Sequence, residues 1–328
     1  MKRLSRALKT SIDYLDVDVA YLLGLLVARG EFSESGGVKR IVIEFPFRNL
    51  EVEGIKEKIV QKDQILLSLR KVTRRINELT DMNVREEERE QAVYLIMETM
   101  KNTMFIRNLK ALLKGKRSHY EFEIPEEIFQ STTDIQKEFL RGYADVAGSA
   151  RWANRNKWGR CRVYLDILNP NWRLPVELCH LIQDFLRIPI DTITYGHPNI
   201  RDPNLVEYKK GREDAWAREH QIKIFAEEFE RIGFYMSHKQ KVLQELAEYN
   251  RSRRFRKAKF CNPPKKVRSS KPPHPGENSE KLPRELRGRH FDAYWQVCAA
   301  LGCRRYLNYL KEQTTLPKFA NEKGGRQK

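Results

Sequence analysis

The sequence has no run of about 18 apolar residues, so no segment reads as crossing a membrane. Cysteine is scarce, five in 328 residues. An odd number scattered over a long chain argues against a disulfide framework and fits a reducing compartment. The basic start, Met1-Lys2-Arg3-Leu4-Ser5-Arg6, lacks a signal-peptide core before the first strongly apolar stretch. These absences together point to an intracellular protein of the cytoplasm or nucleoid. Acidic residues are short in one place only. Residues 251–328 hold 21 Lys/Arg against 6 Asp/Glu, whereas the other 250 residues hold 41 against 38. A segment that basic is the electrostatic footprint of a nucleic-acid partner, because neutralising phosphates releases counterions. The alternatives are a solubilising tail or contact with an anionic surface.

What is present is a repeated element. Tyr21–Phe32 (YLLGLLVARGEF) and Phe139–Ala150 (FLRGYADVAGSA) are each an apolar helix with a glycine in the middle and a glycine at the stop. A mid-helix glycine costs about 1 kcal/mol relative to alanine, so Gly24 and Gly142 imply a packing reason. Gly24 and Ala28 lie one turn apart and make a smooth stripe along which another helix can approach. Asp16 or Asp18 can cap the first helix, expected over about 18–29.

The elements that follow each copy have the same order. After the first come strands at 31–35 and 38–45 around Gly36-Gly37, a helix over 53–79, strands at 83–89 and 91–99, and a helix at 102–114. Ile41, Ile43 and Phe45 alternate with Arg40, Val42 and Glu44, giving a core face and a mixed face. After the second copy come strands at 149–155 and 160–168, a helix at 174–187, strands at 190–195 and 214–224, and helices at 226–232 and 238–249. Residues 196–213 read as a long loop and 262–283, with six prolines, as a linker. An amphipathic helix is expected at 291–302.

Both apolar helices resemble the signature helix of the LAGLIDADG homing endonucleases in their single-chain, two-domain form. Ile124-Pro125-Glu126-Glu127-Ile128 leading to Phe139-Leu140-Arg141-Gly142-Tyr143 resembles that family's passage between domains. Phe229-Glu230-Arg231-Ile232-Gly233-Phe234 with His238-Lys239 resembles the end of its second domain. The resemblance covers about residues 12–250. It implies an α+β fold of two pseudo-symmetric αββαββα domains packed through a central helix pair, at 1–117 and 118–250. A small basic module at 251–328 is added to them, and the chain is expected to be a monomer.

The resemblance also implies divalent metals held by an acid just before each closing glycine. Here those positions are Arg29 and Ala147, so the expected catalytic set is empty. Asp145 lies about 200° around the helix from position 147. A relocated metal site using Glu31 and Asp145 is the alternative, as is a local structural role for Asp145. Arg29 either holds a phosphate or pairs with a nearby acid.

The family's DNA surface is the outward face of each sheet. In the second domain Cys161, Val163, Leu165 and Ile167 should face the helices, leaving Arg160, Arg162, Tyr164 and Asp166 outward. Arg151, Arg155, Lys157 and Trp158 lie on the neighbouring strand and its tip. Arginines interleaved with aromatics suit phosphate and base-edge contacts, and Arg253, Arg254, Arg256 and Lys257 extend the basic set. The first domain carries Glu31, Glu34, Glu44, Glu86, Glu87, Glu88 and Glu90, so it either binds DNA weakly or docks a basic protein partner. Cys261, His290, Cys298 and Cys303 have the residue types of a structural zinc site, in a spacing unlike common fingers. The alternative is core and loop thiols. No organic cofactor is expected. The reading is double-stranded DNA binding by an inactive homing-endonuclease-like protein. An active metal-dependent endonuclease with relocated ligands and a protein-assembly adaptor are the alternatives.

Overall fold

The computed structural model describes residues 15–56, 61–80, 82–151, 159–168, 173–198 and 218–260, with positions 295 and 298. The chain divides into two compact units, Met1–Ser149 with Glu230–Glu245, and Ala150–Phe229 with Leu246–Lys328.

In the first unit α1 (Val17–Arg29) starts on Asp16, whose Oδ1 accepts from the backbone N–H of Asp18 and Val19, both at 2.9 Å. That satisfies two of the donors a helix start leaves open. Every residue from Val19 to Arg29 is buried, as a helix apolar all round requires. Its partner is α6 (Thr133–Ala147), packed against it along most of its length. The two glycines set that contact. A Cβ on Gly24 would sit 2.0 Å from the Phe139 carbonyl oxygen, and one on Gly142 would sit 2.1 Å from that of Tyr21. The backbones themselves touch, which is the packing reason the sequence implied.

The first sheet runs β1 (Gly30–Ser35), β2 (Val38–Pro46), β4 (Ala92–Thr99), β3 (Asn83–Glu88) across its width, antiparallel throughout. Gly36 (φ 57°) and Gly37 (φ 80°) make the tight β1–β2 turn, which needs left-handed backbone at both positions. Ile41, Ile43 and Phe45 are fully buried and Arg40, Val42 and Glu44 only partly so. The helix expected over 53–79 is corrected. A short α2 (Phe47–Leu50) ends at Glu51, residues 51–54 are not helical, and α3 spans Lys62–Leu79. Gly54 interrupts the pattern, because glycine is a poor helix residue. Then come α4 (Met104–Leu112) and α5 (Glu126–Gln130).

The second sheet has the same order, β5 (Gly148–Arg151), β6 (Arg162–Ile167), β8 (Arg218–Phe225), β7 (Thr192–Pro198). Between β6 and β7 lie α7 (Arg173–His180) and a π-helical turn, Leu181–Phe185. After β8 come α8 (Ala226–Phe229) and α9 (Ser237–Ser252). The chain is thus α+β, with one strand order used twice. The loop expected at 196–213 is corrected at its start, because residues 196–198 continue β7 and pair with β8 as far as Pro198. The rest of it, the linker at 262–283 and most of the helix at 291–302 lie outside the described residues.

Candidate nucleic-acid interface

At the end of α1 the side chain of Arg29 is buried, with Nη1 3.9 Å from Glu44 Oε2. The chain after α4 returns here and zips onto β1. The Phe32 N–H donates to the Arg117 carbonyl at 2.7 Å, and that of His119 to the Gly30 carbonyl at 2.8 Å. His119 is buried, and desolvation together with the positive charge of Arg29 pulls its pKa down to about 4. A neutral imidazole and a guanidinium thus stand where the resemblance would put a metal ligand. A fixed positive charge opposes binding of a divalent cation.

At the end of α6 Ala147 supplies no ligand, and Asp145 is wholly buried. Its Oδ2 accepts from the Tyr21 hydroxyl at 2.7 Å and the Tyr235 N–H at 3.2 Å, and its Oδ1 from the Met236 N–H at 3.3 Å. Burial pushes the carboxyl up to about 6 against the pull of Lys239. Lys239, also buried, donates from Nζ to the carbonyls of Asp145 and Gly148, both at 2.7 Å, and more distantly to that of Ala144 at 3.4 Å. The Asp145 carbonyl is one that a helix end leaves without an intrahelical partner, so the lysine caps α6 and offsets its negative pole. Both oxygens of Asp145 are engaged inside this knot, which leaves it ill placed to serve a relocated metal with the exposed Glu31. The sequence signal for the knot was an aspartate in a helix otherwise closing on apolar residues. Nothing local named Lys239 as its partner.

In the first sheet several of the acids that suggested repulsion are locally matched. Arg40 lies 3.2 Å from Glu98, and Arg85 lies 3.3 Å from Glu87 and 3.9 Å from Glu98. Arg89 reaches Glu87 at 2.7 Å, and on the helix side of the sheet Lys110 of α4 reaches Glu34 at 2.6 Å and Lys62 of α3 pairs with Glu88. Each pair is weak on its own at a surface. Collectively they leave a face of mixed sign.

The second sheet corrects the expectation for its arginines. Strand alternation puts Cys161, Val163, Leu165 and Ile167 in the core, yet Arg160, Arg162, Tyr164 and Asp166 on the other face are buried as well. Arg162 Nη2 lies 2.6 Å from Asp191 Oδ2, and Asp166 Oδ1 accepts from Gln221 Nε2 at 2.8 Å. Arg151 stacks 4.2 Å above the Tyr164 ring. Arg160 donates from Nε to Glu227 Oε1 at 2.9 Å and from Nη1 to the Arg256 carbonyl at 2.7 Å. These side chains are committed inside the protein, because matching acids arrive from distant segments. Burial and the charges of Arg162 and Arg151 push the pKa of Lys223 on β8 down. Arg155, Lys157 and Trp158 lie outside the described residues.

The residues after α9 are different. Arg253, Arg254, Arg256, Lys257 and Lys259 are all exposed, and none pairs with an acid among the described residues. Arg253 rests 5.1 Å over the Tyr249 ring. Phe255, between them, is half-buried and faces Arg160 at 5.5 Å. The segment is a short basic ribbon held at its middle.

No family profile matches the sequence, and no curated protein matches it. Solved structures do. The fold is similar to that of LAGLIDADG homing endonucleases. I-DmoI in complex with DNA and Mn is 17% identical, with a TM-score of 0.34 over 69% of this chain and 97% of that one. I-WcaI bound to its DNA recognition sequence is 11% identical, with a TM-score of 0.42 over 70% and 87%. The N-terminal LAGLIDADG domain of DUF199/WhiA is 14% identical, with a TM-score of 0.34 over 73% and 84%. At such identities the function has to be read from this chain's own residues.

Of the zinc candidates, Cys261, His290 and Cys303 lie outside the described residues. Cys298 is buried in a helical turn, its Sγ 3.9 Å from His180 Nε2, and His180 Nδ1 lies 3.2 Å from Asp184. Cys298 is disulfide-bonded, contrary to the expectation of reduced thiols, and so offers no thiolate to a metal. Among the described residues no three His, Cys, Asp or Glu are grouped to hold a metal, and no helix is long and apolar enough to cross a membrane.

Proposed function

We propose that this chain binds double-stranded DNA without cutting it, using the basic ribbon at 253–259 as its main contact with the phosphate backbone. The exposure of Arg253, Arg254, Arg256, Lys257 and Lys259, with no acid spent on them among the described residues, is the observation that carries the reading. Five cations within seven residues, on a chain of net charge +18, suit a polyanion. The helix ends support the absence of cleavage. Arg29 brings positive charge, Ala147 brings no ligand, and Asp145 is enclosed by Tyr21, Tyr235 and Met236. The adaptor reading is weakened, since Glu34, Glu44, Glu87 and Glu88 of the first sheet are paired with neighbouring arginines and lysines. A zinc bound by Cys261, His290, Cys298 and Cys303 would require the Cys298 disulfide to be reduced, and is checked by elemental analysis of reduced, chelator-free protein.

The test replaces Arg253, Arg254, Arg256 and Lys257 together by alanine. Affinity for a random duplex should fall on the order of 100-fold near physiological salt. The plot of log affinity against log salt should flatten by about 0.9 for each phosphate that is no longer neutralised. Plasmid held with excess wild-type protein and Mg²⁺ or Mn²⁺ should shift on a gel yet stay supercoiled. An unchanged salt slope in the variant would remove the ribbon from the interface, and nicking that copurifies with the protein would overturn the non-cutting reading.

A further inference from the structure

We propose that Arg160, with Glu227 and Phe255, is a clamp that presets the shape of the basic ribbon, a positioning residue rather than a phosphate contact. The inference rests on the DNA-binding reading above.

The geometry uses up the guanidinium. Its Nε and Nη2 both go to Glu227 Oε1, and its Nη1 to the Arg256 carbonyl. It lies 3.5 Å from the Phe225 ring centroid and 5.5 Å from that of Phe255. The other oxygen of Glu227 accepts from Asn250 Nδ2, so the acid is itself held. Asn250 is buried and pairs with the backbone of Cys161, accepting its N–H at 2.8 Å and donating to its carbonyl at 2.9 Å. The end of α9, the start of β6 and the ribbon therefore meet at one charge-neutral joint. A planar fork with directed donors can join a carboxylate and a carbonyl at once, which a lysine ammonium does with far less angular control.

The joint fixes the path of the chain leaving α9. The Arg253 N–H donates to the Asn250 carbonyl at 3.2 Å, that of Phe255 to the Arg253 carbonyl at 2.9 Å, and Arg160 then takes the carbonyl of Arg256. Arg254, Arg256 and Lys257 thus rise from a backbone already placed, with their side chains in solvent. Ordering a free segment on binding reduces affinity, so a ribbon ordered beforehand binds more tightly with the same cations. Arg160 acts on the partner only through that backbone.

Two measurements on the full chain test this. The first is limited trypsin digestion, with cleavage after Arg254, Arg256 and Lys257 followed by mass spectrometry. Arg160→Met should raise cleavage there on the order of tenfold, because local opening governs access, and should leave the rate in residues 15–149 unchanged. Glu227→Gln and Arg160→Lys should raise it by smaller factors. The second is duplex affinity across a salt series. Arg160→Met should weaken binding about three- to tenfold with the salt slope preserved, since the phosphate-contacting cations remain. Unchanged ribbon cleavage would overturn the clamp. So would a slope shallower by about 0.9, the mark of one phosphate fewer neutralised. Should Arg160→Met fail to fold, Arg160→Lys and Glu227→Gln carry both measurements. If wild-type protein binds no duplex, the functional reading falls, and the digestion still decides the clamp.

Discussion

The first repeat closes α1 on Arg29 and Gly30, and the second closes α6 on Ala147 and Gly148. The pair differs in how charge is handled. Near the first helix end Arg29 lies beside Glu44, and the strands carry half-exposed arginines and glutamates that match one another across the sheet. Near the second, Asp145, Tyr21 and Lys239 form a knot sealed from solvent; in the second sheet Arg160 and Arg162 are drawn inside by Glu227 and Asp191. One strand order thus carries a solvated ladder in one place and buried pairs in another. Counting arginines on a strand does not say whether a nucleic acid can reach them. What matters is whether an acid already has.

The knot offers the largest break in that contrast. Asp145→Asn would leave Lys239 buried without its counter-charge, and removing one partner of a buried pair costs about 3–5 kcal/mol. Urea unfolding should show that loss. Replacing Val27, which stands at the matching place in α1, by alanine should cost only about 1–2 kcal/mol by methyl removal. Equal losses would show that the knot is not special.

The helix contact comes next. Gly24→Ala places a methyl 2.0 Å from a backbone carbonyl oxygen that has no rotamer to yield. Overpacking of that kind costs about 3 kcal/mol or more. Gly36→Ala tests the other use of glycine, since nothing lies within 4 Å of its Cβ and only the positive φ is strained. It should cost about 1 kcal/mol. Thermal unfolding of both variants orders the two effects.

Acid should weaken the fold through the buried histidines. His119 and His238 are held at about 4, each chiefly by burial, against an ordinary 6.5. The unfolded chain therefore binds more protons between pH 6.5 and 4, and stability falls as pH falls through that window. Asp145 acts in the opposite sense. Raised from 3.8 to about 6, it takes its proton earlier in the folded state, adding stability as pH falls through the same region. Two histidines against one carboxyl leave a net loss on the order of 1 kcal/mol per pH unit through this region. Urea midpoints at pH 7, 6 and 5 measure it. His119→Phe should flatten the curve, and a curve unchanged in that variant would remove His119 from the account.

The smallest effect is expected on the first sheet. Arg40→Ala with Arg85→Ala breaks ladder pairs whose members are about 40% and 47% exposed. Stability should change by less than about 1 kcal/mol, and duplex affinity by less than about twofold if these arginines are occupied by glutamates rather than by phosphates. A large loss of DNA binding would move the interface to this face.

Much of this was open to reading along the chain. Helix periodicity with a central glycine located α1 and α6, because a glycine there is unfavourable without close packing. Alternation found the core side of β2 and β6, since side chains on a strand change face at every residue. The basic excess after residue 250 needs only counting. Partner choice was not readable, because it joins positions far apart. Arg160 meets Glu227 across 67 positions, and Lys239 reaches the Asp145 carbonyl across 94. Alternation says which face an arginine takes but not whether that face stays in water, and so β6 looked like an open basic strand. By itself the sequence determined the repeated order of elements, the glycine contact and the place of the excess charge. Only the tertiary structure decided which charges are spent internally and which remain for a partner. Burial makes an unpaired charge so costly that the fold must bring an acid to it, and which acid arrives depends on the path of the whole chain.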